Sequence, residues 1–170
     1  METIEFKKVL FKTAFCVMAC DGHIDQLEIN EMKKIDTNTS YFNDVDLSNE
    51  LDDLVKEINV KGKIIFSELF KTLRNQKLTL VQELLIIEVS LRIMNADDKV
   101  DESEVKFINH LRSKLEVDNQ ILIDRFGSVP FLKNINYNKI NNDEISSLKK
   151  FINDIQLPNA ESFNVLNSKK

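Results

Sequence analysis

The sequence predicts an all-α protein: a helical bundle of about seven to eight helices containing two copies of one helix–turn–helix hairpin. Three observations predict it. Only 3 Gly and 2 Pro punctuate 170 residues, while Leu, Ile, Lys and Glu are abundant, a composition that favours helix. Apolar residues recur at helical spacing through most of the chain. Finally, one acidic pattern, D-x-x-(I/V)-D-x-x-E, is written twice at a constant offset of 76 residues, from Asp21, Asp25 and Glu28 to Asp97, Asp101 and Glu104. Each copy follows a long apolar stretch and opens an amphipathic one.

The first helix is expected over about 3 to 20. Ile4, Phe6, Val9, Leu10, Phe11, Ala14, Phe15, Val17, Met18 and Ala19 cover more than one stripe, so burial on most sides is expected. One narrow polar row is left, Lys8, Lys12, Cys16 and Cys20, at i,i+4 spacing. Gly22 can take the left-handed conformation that stops the helix. A second helix begins at Asp25, whose carboxylate caps the first N–H groups while Glu28 completes a capping box, and Ile24 with Ile29 forms a hydrophobic staple. Met32 and Ile35 continue its inner face until about Asp36–Thr39.

After a polar connection anchored by Tyr41 and Phe42, Ser48 is expected to cap a helix running to Val60, before Gly62. Leu51, Leu54 and Ile58 form its inner row. Another amphipathic stretch runs from Lys63 to Arg74. Thr79 and Gln82 signal a capping box that opens the second long apolar helix, about 80 to 96. Here Asp98 stands where the first copy has Gly22, and Asp tolerates left-handed geometry better than most residues. The next helix starts at Asp101 with Glu104 at its third position, and Val100 with Val105 repeats the staple. Phe107, Ile108, Leu111 and Leu115 face inward. Asp118 caps a short helix that Gly127 ends. A last helix spans 142 to about 155, with Ile145, Leu148, Phe151, Ile152 and Ile155 inward. One domain over 1–157 is expected, with repeat units 3–36 and 80–115 and a polar tail over 158–170.

Lys and Arg total 23 against 28 Asp and Glu, a net charge of −5 that argues against non-specific nucleic-acid binding. The most apolar long stretch, Leu78 to Met94, holds Gln82, Glu83, Glu88 and Arg92, so membrane insertion is not expected. The N-terminus lacks a basic-then-apolar signal pattern, and the two cysteines form no disulfide framework, which fits a cytoplasmic protein.

The duplicated segment resembles the TerB-like family, named for bacterial tellurite-resistance proteins. Its typical segment is an apolar helix ending in A-x-x-D-G-x-(I/V)-D-x-x-E. Met18-Ala19-Cys20-Asp21-Gly22-His23-Ile24-Asp25-Gln26-Leu27-Glu28 comes close to it, and Met94-Asn95-Ala96-Asp97-Asp98-Lys99-Val100-Asp101-Glu102-Ser103-Glu104 follows it with Asp98 replacing the glycine. The resemblance covers about residues 5 to 115. It implies an all-α domain without established catalytic activity, found in tellurite-resistance and stress operons, beside DnaJ-like co-chaperones or in phage-defence modules. It also implies a shared acidic site, which here would be Asp21, Asp25, Glu28, Asp97, Asp101 and Glu104.

Two readings of these six carboxylates stand side by side. Asp25 with Glu28 and Asp101 with Glu104 explain themselves as capping boxes, each Asp cap worth about 1 kcal/mol. Asp21 and Asp97 are not needed for capping, and an acid at a helix C-terminus is unfavourable by roughly 0.3–1 kcal/mol. A divalent cation, Ca²⁺, Mg²⁺ or Mn²⁺, would suit an all-oxygen ligand set. The spacing is not that of an EF-hand, because the twelfth position is Met32 in one copy and Ile108 in the other. Six ligands would gather only if the long helices pack parallel and bring both corners to one end; antiparallel helices would part them.

Cys16, Cys20 and His23 read C-x₃-C-x₂-H, but His110 is the only other histidine, and the second copy has Arg92 and Ala96 in place of the cysteines. Two small semi-buried thiols are the plainer expectation, with Lys12 one turn from Cys16 able to activate it. No phosphate loop, nucleophile elbow or H-E-x-x-H occurs. Phe66, Phe70, Phe126 and Phe131 read as core. Asp44, Asp46, Glu50, Asp52, Asp53 and Glu57 read as a solvated face able to dock a basic partner. The leading expectation is a non-enzymatic stress- or defence-associated binding protein acting through protein contacts, with or without a divalent cation. A metal-dependent accessory hydrolase or redox enzyme and a metal-free co-chaperone-like regulator are the alternatives.

Overall fold

The computed structural model describes residues 2–130, 132 and 142–158, the side chains of 142–145 excepted. Among them lie eight helices and no strand. The expectations for Phe131, Ile145 and the tail after Pro158 fall outside the described residues.

Helix α1 (Ile4–Ala19) starts where Thr3 Oγ1 accepts the Phe6 N–H at 3.1 Å. From Leu10 to Cys20 every residue except Lys12 is buried, as the unbroken apolar pattern requires. Helix α2 (Gln26–Asn38) leaves the first acidic corner, and α3 (Leu47–Lys61) and α4 (Ile64–Asn75) form the connection. Helix α5 (Leu80–Met94) opens on the expected Thr79–Gln82 capping box. The second corner leads into α6 (Glu102–Ser113), followed by α7 (Asn119–Phe126) and α8 (Asn142–Asp154).

Helices α1 and α5 make the most extensive helix–helix contact of the fold. They run parallel. Glu2, just before α1, accepts a hydrogen bond from Gln82 in the first turn of α5 at 2.6 Å, so the two N-terminal ends lie together. The two acidic corners, which follow the C-terminal ends, also meet. The hairpins α1–α2 and α5–α6 are therefore related by an approximate twofold, with the apolar pair α1 and α5 at its centre.

Two boundaries differ from expectation. Helix α3 is capped by Asp46, whose Oδ1 accepts the Asn49 N–H at 3.1 Å, and not by Ser48, which lies inside the helix. A carboxylate offered two residues earlier takes the free N–H first, and Asp is at least as good a cap as Ser. Helix α5 stops at Met94 instead of running to Ala96, with Asn95 closing its last turn. The acidic face of α3 is also less solvated than expected. Glu50 pairs with Lys8 at 2.9 Å, and Glu57 pairs with Lys12 at 3.4 Å and Lys61 at 3.2 Å. The polar row of α1 thus docks α3 through its two lysines.

Deeper in, Phe107 of α6 packs edge-on to Phe66 and tilted against Phe70, with ring centroids at 6.4 and 5.4 Å. Phe151 of α8 stacks on His110 at 5.0 Å. Burial pushes the His110 imidazole down to about 4, with Lys114 and Lys106 acting in the same direction, so it packs as a neutral ring at neutral pH. Past α8, Ile155 and Pro158 are buried, and Gln156 lies against Gly22. This segment crosses the first acidic corner.

Candidate functional site

Each corner is built from the same local hydrogen bonds. In the first, Asp21 Oδ1 accepts the His23 N–H at 3.2 Å, Asp25 Oδ1 accepts the Leu27 N–H at 2.7 Å, and Glu28 Oε2 accepts the Asp25 N–H at 3.2 Å. In the second, Asp97 Oδ1 accepts from Lys99 N at 3.0 Å, Asp101 Oδ1 from Ser103 N at 2.7 Å, and Glu104 Oε2 from Asp101 N at 3.2 Å. Gly22 and Asp98 both have positive φ, +91° and +61°. Both capping boxes form as the spacing predicts. Asp21 and Asp97 acquire a local role that capping did not supply: each folds back as an Asx turn onto the N–H two residues on. That bond offsets their unfavourable place at a helix C-terminus.

The parallel packing of α1 and α5 then brings the copies together. Glu28 and Glu104 are each only 2% exposed and hydrogen-bond to one another. Burial is the main force on both carboxyls, raising Glu28 to about 9 and Glu104 to about 7 against the cap N–H each accepts. Two carboxyls this close and this buried cannot both ionise freely, so the pair holds one proton between them. Asp21, whose side chain is 10% exposed, is also pushed up, by burial first and by Asp101 of the other corner. The structure thus unites Asp21, Glu28, Asp101 and Glu104, with Asp97 near enough to act on Glu104. Asp25 contributes through its cap.

The gathering is a joint more than a cage. Each of the six carboxylates commits one oxygen to a backbone N–H of its own corner. Among the described residues no group of three or more His, Cys, Asp or Glu is placed to hold a metal ion. Cys16 and Cys20 are wholly buried beneath the joint, more so than expected, whereas the His23 side chain is 72% exposed and turns to Asp21 at 3.6 Å. The C-x₃-C-x₂-H ligands therefore do not assemble. Lys12 does not activate Cys16: burial raises that thiol to about 12, outweighing the lysine, and Cys20 is raised well above its ordinary value. We expect neither thiol to react with a chromogenic disulfide in the native protein, and both to react in denaturant. Rapid native labelling of one equivalent would contradict this burial.

Sequence reasoning missed three buried charged groups. Arg112 is 0% exposed, and its guanidinium holds the carbonyls of Leu115 and Val117, so it fixes the turn between α6 and α7. Glu83 is buried and accepts the Glu116 N–H at 2.9 Å. Lys7 is 4% exposed in the second turn of α1. Helical period places Arg112 and Lys7 beside apolar neighbours, but their partners lie in loops that carry no periodic signal.

No family model, curated protein or solved structure matches the chain. Among the described residues no helix is long and apolar enough to cross a membrane.

Proposed function

We propose that the chain is a non-catalytic, TerB-like binding domain of the cytoplasm, acting through protein contacts in stress or defence: tellurite or oxidant resistance, or a phage-defence setting. The observation that carries this reading is the meeting of the two motif copies. A motif that resembles the TerB segment would need a reason to occur twice, and a buried joint between two hairpins is such a reason. Every one of its six acids has a bond that shapes a corner, which supports a binding scaffold over an acid–base catalyst. Two free, buried thiols suit a reducing compartment.

The family resemblance also implies a divalent cation. Oxygen donors suit Ca²⁺, Mg²⁺ or Mn²⁺, but Glu28 and Glu104 are engaged with each other, and among the described residues no three ligands converge. The residues as folded fit a proton better than a metal, so the protein-contact reading is the one proposed. Calorimetry with each cation, on the wild type and on the Asp21→Asn/Asp97→Asn variant, tests it together with affinity purification of the chain to recover a bound protein partner. We expect no heat below about millimolar cation and a stoichiometric protein partner. Micromolar cation binding that the double variant loses, with no partner retained, would favour the metal-dependent hydrolase or redox reading instead.

A further inference from the structure

At the end of α1 and α5 opposite the acidic joint lies a cleft of about 310 Å³, within the size range of small-molecule sites. Its apolar lining is Phe6 and Leu10 of α1 and Leu85 of α5, with the exposed Val81 at its edge. Among the described residues that line it, the one cationic group is Lys7. The Lys7 side chain is 5% exposed and donates to the Asn43 carbonyl at 2.8 Å. Its carboxylate neighbour, Asp44, stands at 4.0 Å, beyond hydrogen-bond reach, with a side chain 71% exposed.

A buried ammonium is costly unless well paired, and the positive end of a helix adds to the cost. The ion pair with Asp44 is loose and solvated, so it compensates poorly. Apolar substitution would serve the core better than this lysine does. An ammonium held at the inner wall of an apolar cleft is, by contrast, what an anionic head on a hydrocarbon tail requires: a charge-assisted bond at one end and burial along the other. Glu2, an acid that also lines the cleft, is held by Gln82, and the Asp44 side chain lies mostly in solvent.

We propose that this cleft binds a small amphipathic carboxylate, its head on Lys7 in place of Asp44 and its aliphatic tail along Phe6, Leu10, Val81 and Leu85. The site is independent of the acidic joint and of the binding role proposed above. Asp44 is then a competitor for the ammonium, which gives a sign that a merely structural lysine would not.

Octanoate is the probe, titrated into the full chain and followed by amide chemical shifts and calorimetry. Saturable binding is expected, with octanol and octylamine at least about tenfold weaker, the size of one charge-assisted hydrogen bond. Lys7→Met should weaken octanoate by a similar factor, and Asp44→Asn should tighten it several-fold. Val81→Glu, at a position 59% exposed and so compatible with folding, should also abolish binding by placing a carboxylate in the tail's path. Absence of saturable binding, equal affinity for octanol, or looser binding in Asp44→Asn would overturn the proposal. Tighter binding of a tetrapeptide ending in leucine would overturn it in favour of a protein chain end.

Discussion

At pH 8.5 the Glu28→Gln variant is expected to be more stable than the wild type by about 1–3 kcal/mol, and at pH 5 the two are expected to be nearly equal. Glu28 is buried, and burial holds its carboxyl up at about 9, against 4.5 when exposed. Between those values the folded chain keeps a proton that the unfolded chain gives up. Unfolding then releases protons, so stability is fully present below the ordinary carboxyl range and falls as pH rises toward about 9. Glu104, raised to about 7 by burial, adds the same sign over a narrower window. Glu57 acts oppositely: burial pushes it up, but Lys12 and Lys61 prevail and lower it, so its contribution is lost only on the acid side. Gln reproduces the protonated glutamate. Its oxygen can accept the Asp25 N–H and its amide can donate to Glu104, without a proton to lose. Urea unfolding of both proteins from pH 5 to 9 measures this. A wild-type curve that stays flat or rises from pH 6 to 9 would sink the shared-proton arrangement, and so would a Gln variant that is weaker at pH 8.5.

Local chemistry was legible in the sequence and long-range chemistry was not. The capping boxes at Asp25–Glu28, Thr79–Gln82 and Asp101–Glu104 are read within four residues, and all three form. The positive φ at Asp98 was legible from its equivalence to Gly22. The Asx turns of Asp21 and Asp97 are equally local and could have been read the same way, as an Asp aligned on the N–H two positions later. The contact of Glu28 with Glu104 spans 76 residues and depends on α1 and α5 lying parallel, which periodicity does not encode. A faint signal existed, since two copies of one hairpin most simply pack about a twofold that brings equivalent corners together. The row Lys8, Lys12, Cys16, Cys20 shows the same limit. It is one stripe on a helical wheel, yet its first half meets the acids of α3 while its second half is sealed under the corners. The burial of Lys7 is set by the turn at 41–44, a segment with no period to read.

The approximate twofold is broken at the first corner, and a side chain there is expected to cost about 2–4 kcal/mol for Gly22→Val, against a change within about 1 kcal/mol for Asp98→Gly. Left-handed geometry costs an L-residue roughly 1–2 kcal/mol, and a β-branched one more. Gly22 sits at φ +91°, whereas Asp98 at +61° occupies the region that Asp tolerates. Crowding adds to strain at the first corner only. A Cβ on Gly22 would stand 3.2 Å from the Gln156 carbonyl oxygen and 3.3 Å from its Cβ. That oxygen belongs to backbone anchored by buried Ile155 and Pro158, so relief requires moving the whole crossing segment. The glycine of one copy and the aspartate of the other therefore answer to different neighbours despite equivalent places in the repeat. Urea unfolding of Gly22→Ala, Gly22→Val and Asp98→Gly ranks the costs, and thiol labelling locates them. Cys20, two residues before Gly22, should become reactive in Gly22→Val and stay protected in Asp98→Gly. Equal stability of Gly22→Val and wild type would mean that the C-terminal segment does not lie across the corner.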